Sequence, residues 1–308
     1  MKKITLLFIL CSFNIPAFAG SNACIHSGKA DDPIPTSELS CYTTPQNYNV
    51  KIYEVGLCDN LSSLGKLSGT VNPSDTITSN CTKIFYSSNA VDKEITSSLG
   101  TSKLTGGKFS SIQKDRTYSY SYVKMSNTVS TKMITYISLP NAGDTIIGRA
   151  DSASYTPLSQ IAACWTINYT YLRSVGNPIS TKCGVSPDVS YGTIVETFDY
   201  FGDSVDSGGN VITPYFTNAS IGLQNNNGTA YLTIGGHYYQ TTQTSVPDQA
   251  IFFYPLASPI VIHEDNYKPT VKVLFEVTSA NKVKNDSSPD NPIMAFKINS
   301  LNINITAH

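Results

Sequence analysis

Apolar and polar positions alternate with a period of two through most of the chain, the pattern of strands with one buried face. Residues 117–125 show it most cleanly: Tyr118, Tyr120 and Tyr122 share one face, and Ser119, Ser121 and Val123 the other. The stretch from Cys41 to Cys58 holds a strand at 48–57 whose alternation breaks. Val50 and Ile52 point one way, whereas Tyr53, Val55 and Leu57 point the other. Either that strand is buried on both faces or a bulge lies near Glu54. Further strands are predicted at 82–87 and 91–97, joined by a hairpin loop at Ser88-Asn89-Ala90. Others fall at 108–112, 132–139, 145–149, 160–172, 194–201, 211–216, 219–223, 229–234, 238–244, 250–255, 259–263, 270–278 and 293–306. Residues 174–192, with Gly176, Pro178, Gly184 and Pro187, read as a long connection or a domain boundary, and 282–292 as an exposed loop. No stretch sustains a 3.6-residue period. The predicted fold is therefore all-β, an antiparallel β-sandwich of immunoglobulin-like or jelly-roll-like type with no long helix after the leader. The immunoglobulin Cys…Trp…Cys spacing is not met, because Trp165 directly follows Cys164.

The first residues change the picture of where the protein works. Lys2 and Lys3 precede an apolar run at 4–13, and Ala17-Phe18-Ala19 forms a small-residue cleavage site, so 1–19 reads as a signal peptide. Residues 20–44 form an irregular N-terminal arm. Residues 45–308 form the β-sandwich region, in one piece or in two β subdomains divided near 174–192. No later segment approaches the ~18 apolar residues of a spanning helix. Of the 7 cysteines, Cys11 leaves with the leader, and Phe8-Ile9-Leu10 lacks the small residues of a lipobox. Cys24, Cys41, Cys58, Cys81, Cys164 and Cys183 remain. An even count in an exported chain predicts disulfides. Six cysteines permit fifteen connectivities, and the simplest pairs them in order. Cys41 and Cys58 are poor partners for each other, because an extended strand holds them too far apart. There is no C-x-x-C pair to favour a metal.

Charge and motifs narrow the function classes. Only 14% of residues are charged and the formal net charge is −1. No basic run suits nucleic acid or anionic lipid. The histidines (His26, His237, His263, His308) stand outside any zinc-protease motif, and no nucleophile elbow or P-loop is present. Asp203, Asp206 and Asn210, with carbonyls near Gly208-Gly209, are the candidate calcium ligands, against the plainer reading of a hairpin loop. The Tyr118/Tyr120/Tyr122 stripe is a candidate sugar-stacking face, against the reading that it packs on the opposite sheet.

The run from Cys41 through Pro45, Tyr48, Val50 and Ile52-Tyr53-Glu54-Val55 to Leu57-Cys58 resembles a stretch in exported, cysteine-containing β-sandwich proteins of Gram-negative and marine bacteria. Cys81 in CTKIF and the Cys164–Ile167 run CWTI are similar to later markers of that group. The resemblance implies fold and compartment and brings no activity. The expected function is a non-enzymatic structural or adhesive protein exported to the periplasm, the cell surface or the medium. Its partners would be further copies of itself or another cell-surface protein. The alternative is a secreted carbohydrate-binding protein or glycan-active enzyme using the tyrosine face. A β-type pore-forming toxin ranks third.

Overall fold

The computed structural model describes residues 23–59, 80–96, 104, 107–110, 115–150, 152, 154–172, 180–187, 191–197, 229–234, 237–238, 248–262, 271–276, 281–285, 287, 292–298 and 302–307. The arm contributes β1 (Ile34–Pro35), a 3-10 turn at Thr36–Glu38 and β2 (Tyr42–Thr43). Then come β3 (Asn47–Cys58), β4 (Cys81–Thr96), β5 (Lys108–Phe109), β6 (Arg116–Ser126), β7 (Thr128–Lys132) and β8 (Ile134–Ser138). The middle of the chain forms β9 (Ile146–Gly148), β10 (Ser154–Tyr155), β11 (Ile161–Thr166), β12 (Tyr169–Leu172), β13 (Thr181–Gly184) and β14 (Ile194–Thr197). The last third adds β15 (Thr229–Ile234), β16 (His237–Tyr238), β17 (Gln249–Ile262) and β18 (Val271–Glu276). It closes with β19 (Asn281–Asn285), β20 (Ile293–Ile298) and β21 (Asn302–Ala307).

The fold is all-β, a disulfide-stapled sandwich of open sheets. A ten-stranded sheet holds β3 at its centre, a four-stranded sheet runs β1-β8-β11-β13, and a five-stranded sheet runs β10-β9-β20-β19-β2. Strands β18 and β21 pair separately. Pairing is mainly antiparallel, with parallel contacts at β1–β8, β12–β14 and β9–β20. One buried cluster draws on all three larger sheets: Val50 and Ile52 from the first, Ile137 and Ala162 from the second, Val283 and Phe296 from the third. Full burial of each such side chain stabilises by roughly 1.5–3 kcal/mol. Five of the described outer strands, β1, β2, β5, β10 and β16, are only two residues long, which shortens the edges open to unwanted pairing.

The break in alternation along β3 is a bulge. The register against β6 shifts between Ile52 and Glu54, so Tyr53 is the extra residue. The shift returns Val55 and Leu57 to the side of Tyr48, Val50 and Ile52, and all five lie in the one buried cluster. The hairpin expected at Ser88-Asn89-Ala90 is absent. Strand β4 runs straight through, because both its halves pair with successive parts of β3, and residues 87–90 are looped out of the ladder between Tyr86↔Glu54 and Val91↔Ile52. The segments 250–255 and 259–263 likewise join into β17, with a register shift between Pro255 and Ile260. The stretch 174–192 contains β13, paired with β11. The expected loop 282–292 is in part β19, which pairs with β20 and β2.

Two segments cross from one sheet to another side by side. β6, β7 and β8 follow each other almost without a break, and at Met133 the chain passes from the ten-stranded to the four-stranded sheet. The run predicted at 160–172 divides in the same way into β11 and β12 at Ile167-Asn168. Such corners are where strands exchange sheets. Thr166 Oγ1 accepts the Met133 N–H at 3.1 Å and donates to the Gly192 carbonyl at 2.6 Å. The Gln46 side chain stands in for a strand neighbour, accepting the Ile134 N–H at 2.7 Å and donating to its carbonyl at 3.0 Å. Gly192 lies so close to this corner that a Cβ there would stand 2.0 Å from Asn168 N.

Candidate functional site

The six cysteines form three bridges in sequence order: Cys24–Cys41, Cys58–Cys81 and Cys164–Cys183. The last two join residues directly opposite each other on paired strands, Cys58↔Cys81 across β3 and β4 and Cys164↔Cys183 across β11 and β13. The first lies within the arm, joining Cys24 to the residue just before β2. Glu38 lies beside it, accepting the backbone N–H groups of Ile25 and His26 and pairing with His26 Nδ1 at 2.6 Å. Cys24, Glu38 and Cys41 come close enough to suggest a metal group, but both sulfurs are consumed in the bridge and cannot ligate as thiolates.

The tyrosine stripe is not an exposed platform. Tyr118 and Tyr122 are fully buried, and Tyr120 is half-buried. The Tyr118 hydroxyl lies 2.9 Å from Thr82 Oγ1, and the Tyr122 ring packs against Phe253 with centroids 6.0 Å apart. Alternation reports which side chains share a face and is silent on what covers that face. Tyr118 belongs to the buried cluster. Asp203, Asp206 and Asn210 lie outside the described residues.

The structure gathers a different group on the outward face of β3. Because the bulge absorbs Tyr53, Asn47, Asn49, Lys51, Glu54 and Gly56 follow one another along that face. Opposed residues of an antiparallel ladder point the same way. One row across the sheet therefore reads Lys108, Tyr86, Glu54, Lys124, on β5, β4, β3 and β6. The next row reads Lys83, Gly56, Tyr122, Phe253. Gly56 is required there, since a Cβ would meet the Tyr122 ring at 2.3 Å and the Thr82 carbonyl at 2.6 Å.

Glu54 is the hub. Its Oε1 accepts Lys83 Nζ at 2.9 Å and its Oε2 accepts the Tyr122 hydroxyl at 3.3 Å. Burial, and then the Glu54 charge, push the Tyr122 phenol well above its ordinary value of 10.0. It is thus a fixed donor and not a base. Lys83 Nζ also lies 5.2 Å from the Tyr86 ring centroid, and Lys108 Nζ lies 5.7 Å from the same centroid. Both distances allow cation–π attraction. Towards the other end of β3, Lys51 faces Asp92 at 3.9 Å, Asn47 Nδ2 donates to Glu94 Oε1, and Lys132 Nζ sits 4.2 Å from the Tyr191 centroid.

Sequence reasoning missed Glu54, Lys83, Tyr86 and Lys108 as a group. They come from three strands, and two bulges set their registers. The one visible signal was the lost alternation at Glu54. The fold and this face define a disulfide-stapled β-sandwich with a mixed-charge, lysine- and tyrosine-bearing outer sheet surface. Neither the family models, nor the curated proteins, nor the solved structures compared with it match this chain.

Proposed function

We propose that the chain is an exported, non-enzymatic bacterial protein with a structural or adhesive role at the cell surface or outside the cell. The observation that supports this most is the closure of all three bridges: Cys24–Cys41 within the arm, Cys58–Cys81 at the last residue of β3 and Cys164–Cys183 between β11 and β13. Disulfides persist in oxidising compartments, and the leader at 1–19 supplies a route to one. No helix among the described residues is long and apolar enough to cross a membrane. The outer face offers a carboxylate committed to a lysine and a phenol held protonated, a composition suited to contact rather than turnover.

The test is expression in a Gram-negative host with the leader intact, then fractionation and thiol titration. The purified protein is coated on beads and scored for retention on cells and for self-assembly by light scattering. Export with no reactive thiol, together with retention or assembly, is the expected result. Retention in the cytoplasm with free thiols, or an exported protein that neither adheres nor assembles, overturns the reading.

A further inference from the structure

The chain carries a formal charge of −1, yet the outer face of the central sheet is cationic. Lys51, Lys83, Lys108, Lys124 and Lys132 stand on it, against Glu54, Asp92 and Glu94. No run of basic residues exists in the sequence, and it is the register that brings these lysines together. The excess is small and is interrupted by acids, so a dense polyanion would meet repulsion at three positions. A ligand with widely spaced anionic groups fits that pattern. Asn49 donates to Asn47 Oδ1, and Ser130 stands opposite Asn49, so a polar strip separates the charges along this face. Lys83 and Lys108 flank one half-buried ring, Tyr86, and Glu54 holds Lys83 in place.

We propose that this face binds an acidic polysaccharide, with Lys83 and Lys108 pairing with its carboxylates at the edge of the Tyr86 ring. The inference rests on the adhesive reading above and gives it a ligand class. Ammonium–carboxylate contacts supply charge-assisted hydrogen bonds. Half-exposed cations make these contacts sensitive to salt.

The experiment titrates the full chain, exported and oxidised, with hyaluronate, which carries one carboxylate per disaccharide, with neutral dextran and with single-stranded DNA. Saturable binding to hyaluronate alone is expected, weakening with added salt. Lys108→Gln and Tyr86→Ala should each weaken it by about tenfold, equivalent to ~1.4 kcal/mol. Lys83→Gln is measured beside them, with thermal unfolding as the check on folding, because it leaves Glu54 without its ammonium. Lys29→Gln in the arm and Lys182→Gln on β13 are the charge-matched controls and should bind as the parent does. Absence of hyaluronate binding, equal binding to dextran or DNA, or equal loss in the controls overturns the proposal. Bead adhesion that survives Lys108→Gln while hyaluronate binding never appears sinks this site and spares the adhesive reading. Hyaluronate binding without any adhesion does the reverse.

Discussion

The two cross-strand bridges close ladders of very different length. Cys58–Cys81 ends a ladder of eleven register pairs between β3 and β4, whereas Cys164–Cys183 lies within four pairs between β11 and β13. The sequence separations are 23 and 19. Loop closure then differs by only ~0.2 kcal/mol in the chain-entropy description. The unfolded chain gains about the same constraint from each bridge, so any difference in effect belongs to the native ladders. The long ladder has packing to spare, because Val50, Ile52, Val55 and Leu57 all reach the core. The short one leans on its bridge and on the corner at Met133 and Thr166.

The largest way to break this contrast is at that corner. Gly192→Val should destabilise by about 4 kcal/mol, because the new side chain meets backbone that cannot move aside. The measurement is the chemical-denaturation midpoint. A shift no greater than that of a surface substitution would show that the corner yields. Next comes the Cys164→Ser/Cys183→Ser pair, with an expected loss of about 3 kcal/mol. Hydrogen exchange should also accelerate along β13. The Cys58→Ser/Cys81→Ser pair should leave the amides of β3 before the bulge protected, and equal loss of protection in both variants would show that the two ladders lean on their bridges alike. A smaller effect sharpens it: Tyr122→Phe removes one hydrogen bond to Glu54 and should cost about 1 kcal/mol.

Two titrations carry the smallest effects. Tyr122 and Tyr254 both ionise less readily in the fold than free tyrosine, through burial. Their contribution is complete below pH 10 and is lost as the pH rises further, so their tyrosinate absorbance should appear only with alkaline unfolding. Asp32 behaves oppositely. Hydrogen bonds from the Ser27 backbone and side chain hold its pKa below the ordinary 3.8. Its contribution is present above that value and fades as the pH falls through the lowered one. An Asp32→Asn variant that keeps the parent's acid-unfolding profile would show that this carboxylate does not stabilise the fold.

Much of the fold was legible because period-two patterning places strands well. Strands β3, β6 and β15 fall within a residue or two of their predicted limits. The pattern could not show that the chain changes sheets at Met133 and Ile167, because side-chain alternation continues through a corner when both sheets share one core. Nor could it distinguish a hairpin from a looped-out bulge at residues 87–90, since the same polar residues suit both. Alternation along the tyrosine stripe could not show that Tyr118 enters the buried cluster while Tyr122 meets Glu54, because coverage is a tertiary property. The Lys83–Tyr86–Lys108 group depends on two register shifts that no local pattern encodes.

The bulge at Tyr53 has a consequence for how this gene can vary in length. The apolar residues before it fall on even positions and those after it on odd ones, and one extra residue reconciles the two. Remove Tyr53 and the two halves come into step of their own accord, giving an unbroken strand with the same inward set. A single-codon deletion should therefore be tolerated there, while the same deletion a few residues to either side would turn the residues between it and Tyr53 inside out.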